Sequence, residues 1–182
     1  MEKYKGNIIH PTAIIHPSVK MGEGNYIGAF TILDEKVEIG NNNHIGSHCI
    51  IGDLGESIAF FDKEKKGVII GDENRFTKQV TIDSGTLEPS VIKNNTLWLK
   101  NAHAGHDCIV GNYSQLRCNA IIGGHVIVGE NVRINLGVII HPRVNILDGC
   151  IFGMGAIVTK KIKLLEKGIY VGNPAKLLKI AN

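Results

Sequence analysis

The sequence predicts an all-β protein, a parallel β-helix of six-residue repeats with a short helical tail. Three observations predict it. An aliphatic residue returns every six positions, at Ile9, Ile15, Met21, Ile27, Leu33, Ile39, Ile45 and Ile51. The period resumes at Trp98 and runs through Ala104, Val110, Leu116, Ile122, Val128, Ile134, Ile140, Ile146 and Phe152 to Val158. Six matches neither the helical period nor plain strand alternation, so it marks a stacked repeat. The next residue is often glycine, as at Gly22, Gly28, Gly40, Gly46 and Gly52. Finally, aromatics make up only 5% of the 182 residues, which suits a narrow core filled by Ile and Val.

Each hexad reads as one short strand and a turn, and three hexads close one triangular coil. Small or apolar residues stand two positions before each aliphatic: Asn7, Ala13, Val19, Asn25, Thr31, Val37, Asn43 and Cys49. Eight hexads run from Ile9 to Ile51, three centre on Ile70, Phe76 and Ile82, and eleven run from Trp98 to Val158. These 22 hexads predict about seven coils. Residues 1–160 are therefore read as the β-helix, with loop insertions at 53–67 and 85–95. The first loop carries charges and the adjacent Phe60 and Phe61, which a slim prism cannot bury; the second is rich in turn formers. Long loops on a regular scaffold often carry function. Residues 161–182 read as cap and tail, with an extended stretch over Ile169–Pro174 and a short helix over Ala175–Ile180 begun near Pro174.

Composition excludes several functions. A net charge of +3 does not argue for nucleic acid, and no apolar run approaches a membrane span. The N-terminus lacks an apolar signal core, so the protein is expected to be cytoplasmic. Cys49, Cys108 and Cys150 occupy inward slots and read as buried reduced thiols, and no cysteine spacing suits a metal. A rod of this kind encloses no pocket, so function is expected on its outer faces or between subunits.

The histidines give the first chemical signal. His10 and His16 precede prolines at coil corners and read as structural, and His44 and His48 are given no role. His106 and His125 are 19 residues apart, near one coil length, and His141 follows 16 later. With His103 they are expected to form a column along one edge. A neutral imidazole accepts a proton near neutrality, as a general base must. A zinc hydratase is the competing enzyme reading, but the His103–His106 spacing does not suit it. A structural repeat protein is the non-catalytic rival, and the histidine column argues against it.

The stretch Asn101-Ala102-His103-Ala104-Gly105-His106-Asp107-Cys108, with Gly123-Gly124-His125-Val126 and His141, closely resembles the active-site region of the UDP-N-acetylglucosamine O-acyltransferases of lipid A synthesis, one family of hexapeptide-repeat transferases. The resemblance spans about residues 7–160 and includes Val80-Thr81-Ile82-Asp83-Ser84-Gly85-Thr86. It implies a left-handed β-helix working as a homotrimer. It implies His106 as general base, Asp107 as its orienting partner and the Gly124 amide as oxyanion donor. Asp83, His103 and His125 would contact the acceptor, and His141 the donor. The sequence departs from the family at Ser57, Ala59, Asp83 and Pro142, and ends without the family's C-terminal helical domain. The stretches Ile157–Lys161 and Val171-Gly172-Asn173-Pro174-Ala175-Lys176 are instead similar to the tails of coenzyme A-dependent sugar acetyltransferases. That likeness implies Lys160, Gly172, Asn173 and Lys176 as donor contacts, with lysines on phosphates. The expected reaction carries an acyl group, acetyl by preference, from acetyl-CoA to a hydroxyl or amine of a sugar, nucleotide-linked and destined for a surface glycan such as lipopolysaccharide. An acyl carrier protein thioester bearing a longer chain is the same-class alternative. No permanently bound cofactor or metal is expected.

Overall fold

The computed structural model describes residues 4–56, 58, 64–162 and 167–180. It is a solenoid of short strands in three sheets, of ten, eight and seven strands. Neighbours within each sheet come from successive coils, so the eight-stranded second sheet counts about eight turns. Among the described residues every strand pairing is parallel except the last, and a single antiparallel bridge joins Gly67 to Gly85. In sequence, successive strands go to the first, second and third sheet in turn, which is what a three-hexad coil requires.

The inward aliphatics form the core. Ile27, Leu33, Ile45, Ile51, Phe76, Trp98, Leu116, Ile122, Ile134 and Phe152 are fully buried. The slots two residues earlier are not all apolar. Asn25, Asn43 and Asn74 are buried and stacked into a ladder. The Asn43 backbone N–H and Nδ2 donate to Asn25 Oδ1 at 2.8 and 3.0 Å, and Asn74 repeats the pattern on Asn43 Oδ1 at 2.8 and 3.0 Å. Asn25 and Asn43 also donate to turn carbonyls, Asn25 to Gly40 at 2.9 Å and Asn43 to Gly71 at 2.8 Å. Buried amides are tolerated because every coil supplies the next with a partner.

Two expectations change. The segment expected as an 85–95 loop contains the strand Ser90–Ile92, which pairs with Val68–Ile70 and with Ile109–Val110. The excursion is thus confined to the residues before Ser90, and 23 strands precede the tail among the described residues. The tail holds no helix over Ala175–Ile180. Lys176–Ile180 is a strand antiparallel to Gly168–Val171. Six residues make a poor isolated helix, whereas the last strand of the first sheet offers a row of unpaired backbone groups. Tyr170 stacks on Phe152 with ring centroids 5.6 Å apart and continues the core to this end.

The 53–67 segment leaves the prism after the strand Ile50–Asp53 and is tied back by ion pairs Lys65–Asp34 and Lys36–Glu64. Its two phenylalanines, with Ser57, Ala59 and Lys63, lie outside the described residues. Among the described residues no helix is long and apolar enough to cross a membrane.

Candidate active site

The turn joining the second-sheet strand His103–Ala104 to the third-sheet strand Ile109–Val110 carries His106 and Asp107. Asp107 has φ +56°, a left-handed conformation that turns its carboxylate back toward its neighbour. Two adjacent residues on a strand would face opposite ways; on this turn they meet. His106 Nδ1 lies 2.6 Å from Asp107 Oδ2.

Asp107 is clamped from the other side. The backbone N–H groups of Thr86, Leu87 and Glu88 donate to its Oδ1 at 3.1, 2.8 and 2.9 Å. The Thr86 hydroxyl donates to Oδ2 at 2.6 Å. The side chain is only 4% exposed. Burial pushes its carboxyl up, but the bonds from Thr86, Glu88, His106 and Leu87 outweigh burial and hold it well below the usual carboxylate range. An ionised Asp107 can only accept, so a neutral His106 donates from Nδ1 and carries its acceptor lone pair on Nε2.

The next coil covers this pair. Gly124 stands one coil above His106 and His125 one coil above Asp107. The His125 N–H donates to the His106 carbonyl at 2.8 Å. The His125 ring meets His106 edge-on, with centroids 4.9 Å apart at 84°. Its Nε2 lies 3.8 Å from Asp107 Oδ2, and burial lowers its basicity. A Cβ at Gly124 would fall 2.6 Å from His106 Nε2, so only glycine leaves that nitrogen accessible. The coil ladder uses the amides of Gly123 and His125 but not that of Gly124. Pro142, with no amide hydrogen, fills the equivalent place one coil higher, so the ladder does not need a donor there. Among the described residues the Gly124 N–H is therefore spare. Gly55, on the first loop, closes the near side: a Cβ there would fall 2.8 Å from His106 Cβ.

Asp83 and His103 flank the corner on the second sheet. His103 Nδ1 is 2.8 Å from the Thr81 hydroxyl, and its Nε2 is 3.9 Å from Asp83 Oδ2, beyond hydrogen-bond reach. Burial lowers the basicity of His103. Burial, then the carboxylates of Glu56 and Asp53, push Asp83 up to about 7. The two residues line a 130 Å³ cavity with Ile50, Asp53, Leu54, Glu56 and Thr81.

The expected column of four histidines reduces to two. His106 and His125 meet edge to face; His103 projects from a strand, and His141 is exposed beside Pro142, its Nδ1 2.8 Å from the Pro142 carbonyl oxygen. His141 instead lines an apolar groove of 280 Å³ with Ile121, Ile139, Pro142 and Ile157. Lys160 is exposed one coil above Pro142, on the same corner. Gly172, Asn173 and Lys176 lie at the other edge of the second sheet, where Ile157 N–H donates to the Gly172 carbonyl at 3.0 Å. One chain does not bring them to His106.

Ligand atoms of His106, Asp107 and His125 lie within 4.8 Å of one another, close enough to hold a metal ion in principle. The donor set suits proton transfer better. Asp107 already accepts three backbone N–H groups, a hydroxyl and the imidazole, which fills a carboxylate's lone-pair sites. Sequence reasoning missed that clamp and Gly55. Backbone amides leave no side-chain signature, though the turn formers from Gly85 to Pro89 mark where they converge.

Residues 19–53 match the bacterial transferase hexapeptide (six repeats) family. The fold resembles LpxA from Acinetobacter baumannii, at 27% identity and a TM-score of 0.74, over 97% of this chain and 73% of that one. It also resembles UDP-N-acetylglucosamine O-acyltransferase (LpxA) from Moraxella catarrhalis, at 29% identity and a TM-score of 0.65, over 95% of this chain and 72% of that one. Repeat, architecture and likeness together give the chain the fold of the left-handed β-helix acyltransferases that it resembles and support an acyltransferase.

Proposed function

We propose that the chain transfers an acyl group from a thioester to a hydroxyl or amine of a sugar, nucleotide-linked, with His106 as general base. The observation that carries this reading is the His106–Asp107 pair under Gly124. Asp107 fixes the imidazole with its Nε2 toward the Gly124 side. The acceptor gives its proton to Nε2 as it attacks the thioester carbonyl. The oxygen of the tetrahedral intermediate takes the spare Gly124 N–H, a bond that strengthens as charge develops. The imidazolium, stabilised by Asp107, returns the proton to the departing thiolate. His125 and His103 hold the acceptor.

Acetyl-CoA is the preferred donor, on the likeness of the Val171–Lys176 tail to acetyltransferase tails, and Lys160 would meet its phosphates as a point charge. Gly172, Asn173 and Lys176 reach the same donor only if another subunit presents them, which fits a homotrimer with sites between chains. A sugar-nucleotide acceptor fits a cytoplasmic enzyme whose product enters a surface glycan. A second reading has its own observation: the apolar groove of Ile121, Ile139 and Ile157 above Gly123 accommodates a longer acyl chain, as an acyl carrier protein would deliver. Thiol release measured with acetyl-CoA and with acyl carrier protein thioesters, against sugar-nucleotide acceptors, separates the two. In the active pairing, His106→Ala is expected to lower kcat by about 10²–10⁴-fold with an unchanged circular dichroism spectrum. A variant at full activity would remove His106 from the mechanism.

A further inference from the structure

One lysine lies where a lysine is costly. The Lys65 side chain is only 13% exposed, and its ammonium pairs with the carboxylate of Asp34, which is 30% exposed. Desolvating both charges offsets most of their attraction, so such a pair adds little stability over apolar residues of the same size; its best-attested use is to fix register. The register fixed here is close to the base. Lys65, with Leu54, Gly55, Ser84, Gly85 and Thr86, lines a residual space of only 10 Å³, about the least that holds one water. Two walls of the site therefore meet at this side chain. One includes Gly55, whose backbone is so near the imidazole that a Cβ would fall 2.8 Å from His106 Cβ. The other runs into the Asp107 clamp. The Lys66 N–H donates to the Gly85 carbonyl at 2.9 Å, the Gly85 N–H to the Gly67 carbonyl at 3.0 Å, and the Gly67 N–H to Ser84 Oγ at 2.8 Å. The next residue, Thr86, donates its hydroxyl to Asp107 at 2.6 Å. Asp34 sits on an earlier turn from the second sheet to the third, where the Glu35 N–H donates to its Oδ1 at 2.7 Å and steadies the carboxylate.

We infer that Lys65, anchored by Asp34, is a positioning residue for the His106–Asp107 pair. Its kinetic consequence rests on the acyl-transfer reading; its effect on the geometry of the pair does not. With Lys65 drawn to Asp34, residues 65–67 are held against Ser84 and Gly85. The N–H groups of Thr86, Leu87 and Glu88 then converge on Asp107, and Gly55 backs the imidazole. An uncharged side chain of similar size fills the same space but has no partner to fix how far the two walls slide past each other. Asp107 then meets His106 Nδ1 less squarely, and Nε2 swings away from Gly124. Misplacing reacting groups by about 1 Å costs about 100-fold in rate. Lys65 acts through the pair, so the loss falls on kcat and spares KM.

The test compares the full chain with a double variant, Lys65→Met with Asp34→Asn, which removes both charges and strands neither. Three properties are read. The first is the melting temperature. The second is the downfield proton resonance of the hydrogen-bonded His106 Nδ1–H, assigned by its loss in His106→Gln. The third is kcat and KM for thiol release from acetyl-CoA and acyl carrier protein thioesters with sugar-nucleotide acceptors. The melting temperature is expected to stay within a few degrees of wild type. The Nδ1–H resonance should move upfield or broaden away, and kcat should fall by about tenfold or more with KM changed by less than about twofold. Lys65→Arg, which keeps the ion pair, should retain the resonance and most of kcat. Because Lys65 and Thr86 act on one carboxylate, Lys65→Met should cost less kcat in a Thr86→Val background than in wild type. Asp34→Asn alone, at the partly exposed partner, supplies the same readouts where the double variant fails to fold. An unchanged resonance, or a kcat that does not fall, overturns the inference and leaves acyl transfer standing. A wild-type chain that releases no thiol with any pair overturns the acyl-transfer reading; the resonance then decides the positioning role, its loss in the double variant upholding it and its survival overturning it.

Discussion

At the scale of single residues, the site depends on groups that are absent as much as on those present. Gly124 has no side chain to offer, yet a methyl there would sit 2.6 Å from His106 Nε2, the proposed proton acceptor. Gly124→Ala is therefore expected to lower kcat by at least 100-fold with little change in melting temperature; a mutant retaining more than half of its kcat would place the reacting groups elsewhere. Asp83 makes the opposite statement about stability. Its pKa is raised to about 7 from 3.8, so between these values the folded chain holds a proton that the unfolded chain has released. That preference stabilises the fold fully below about pH 4 and is lost as pH rises through 7. Asp83→Asn should flatten this decline, raising the melting temperature at pH 8 relative to wild type more than at pH 4. Equal shifts at both pH values would show that Asp83 does not titrate in this window. His106 and Gly124 could be proposed as candidates from sequence because their motif is local and chemically unusual. The clamp on Asp107 could not, because three of its four donor groups are backbone N–H groups whose direction depends on how the Thr86–Glu88 segment folds back.

At the scale of elements, period six was enough to place most strands, and the exceptions have physical causes. Ser90–Ile92 escaped because its coil is lengthened: Thr81 pairs with His103 at a separation of 22 residues, where most coils use 18. The tail strand escaped because a propensity argument sees its own residues and not the open edge of Gly168–Val171 waiting for a partner. The asparagine ladder shows how polar slots in the pattern are made tolerable. Asn43 Oδ1 accepts from Asn74 while Asn43 Nδ2 donates to Asn25 Oδ1 and the Gly71 carbonyl. Asn43→Ala strands buried partners on both adjoining coils at about 1–3 kcal/mol for each group left unpaired. Urea unfolding should register a loss of about 2–4 kcal/mol. A loss below about 0.5 kcal/mol would mean that water or a backbone shift replaces the amide.

At the scale of the whole molecule, the outer faces decide what one rod can do alone. The corner carrying His106 separates two exposed apolar stripes. On the second sheet, Ile121 and Ile139 are 38% and 43% exposed; on the third, Ile69, Ile109 and Ile127 are 40%, 36% and 42% exposed. The third-sheet residues stand in register across successive coils, with Val91 between Ile69 and Ile109. A flat ladder of β-branched side chains is a poor surface to leave in water, and parallel sheets normally bury such rows. The proposed homotrimer covers it and brings another chain against the corner, which a site without an enclosed cleft requires. Light scattering should return three times the 19.8 kDa chain mass. A double variant, Ile109→Lys with Ile127→Lys, places two ammonium groups in the middle of that ladder while leaving the inward aliphatics untouched. It should give a folded monomer whose thioester turnover falls with the trimer, because His106, Asp107 and Gly124 remain in place but lose the facing chain. A monomer with undiminished kcat/KM would show that one rod suffices, and a wild-type chain that runs as a monomer would remove the shared site from the proposal.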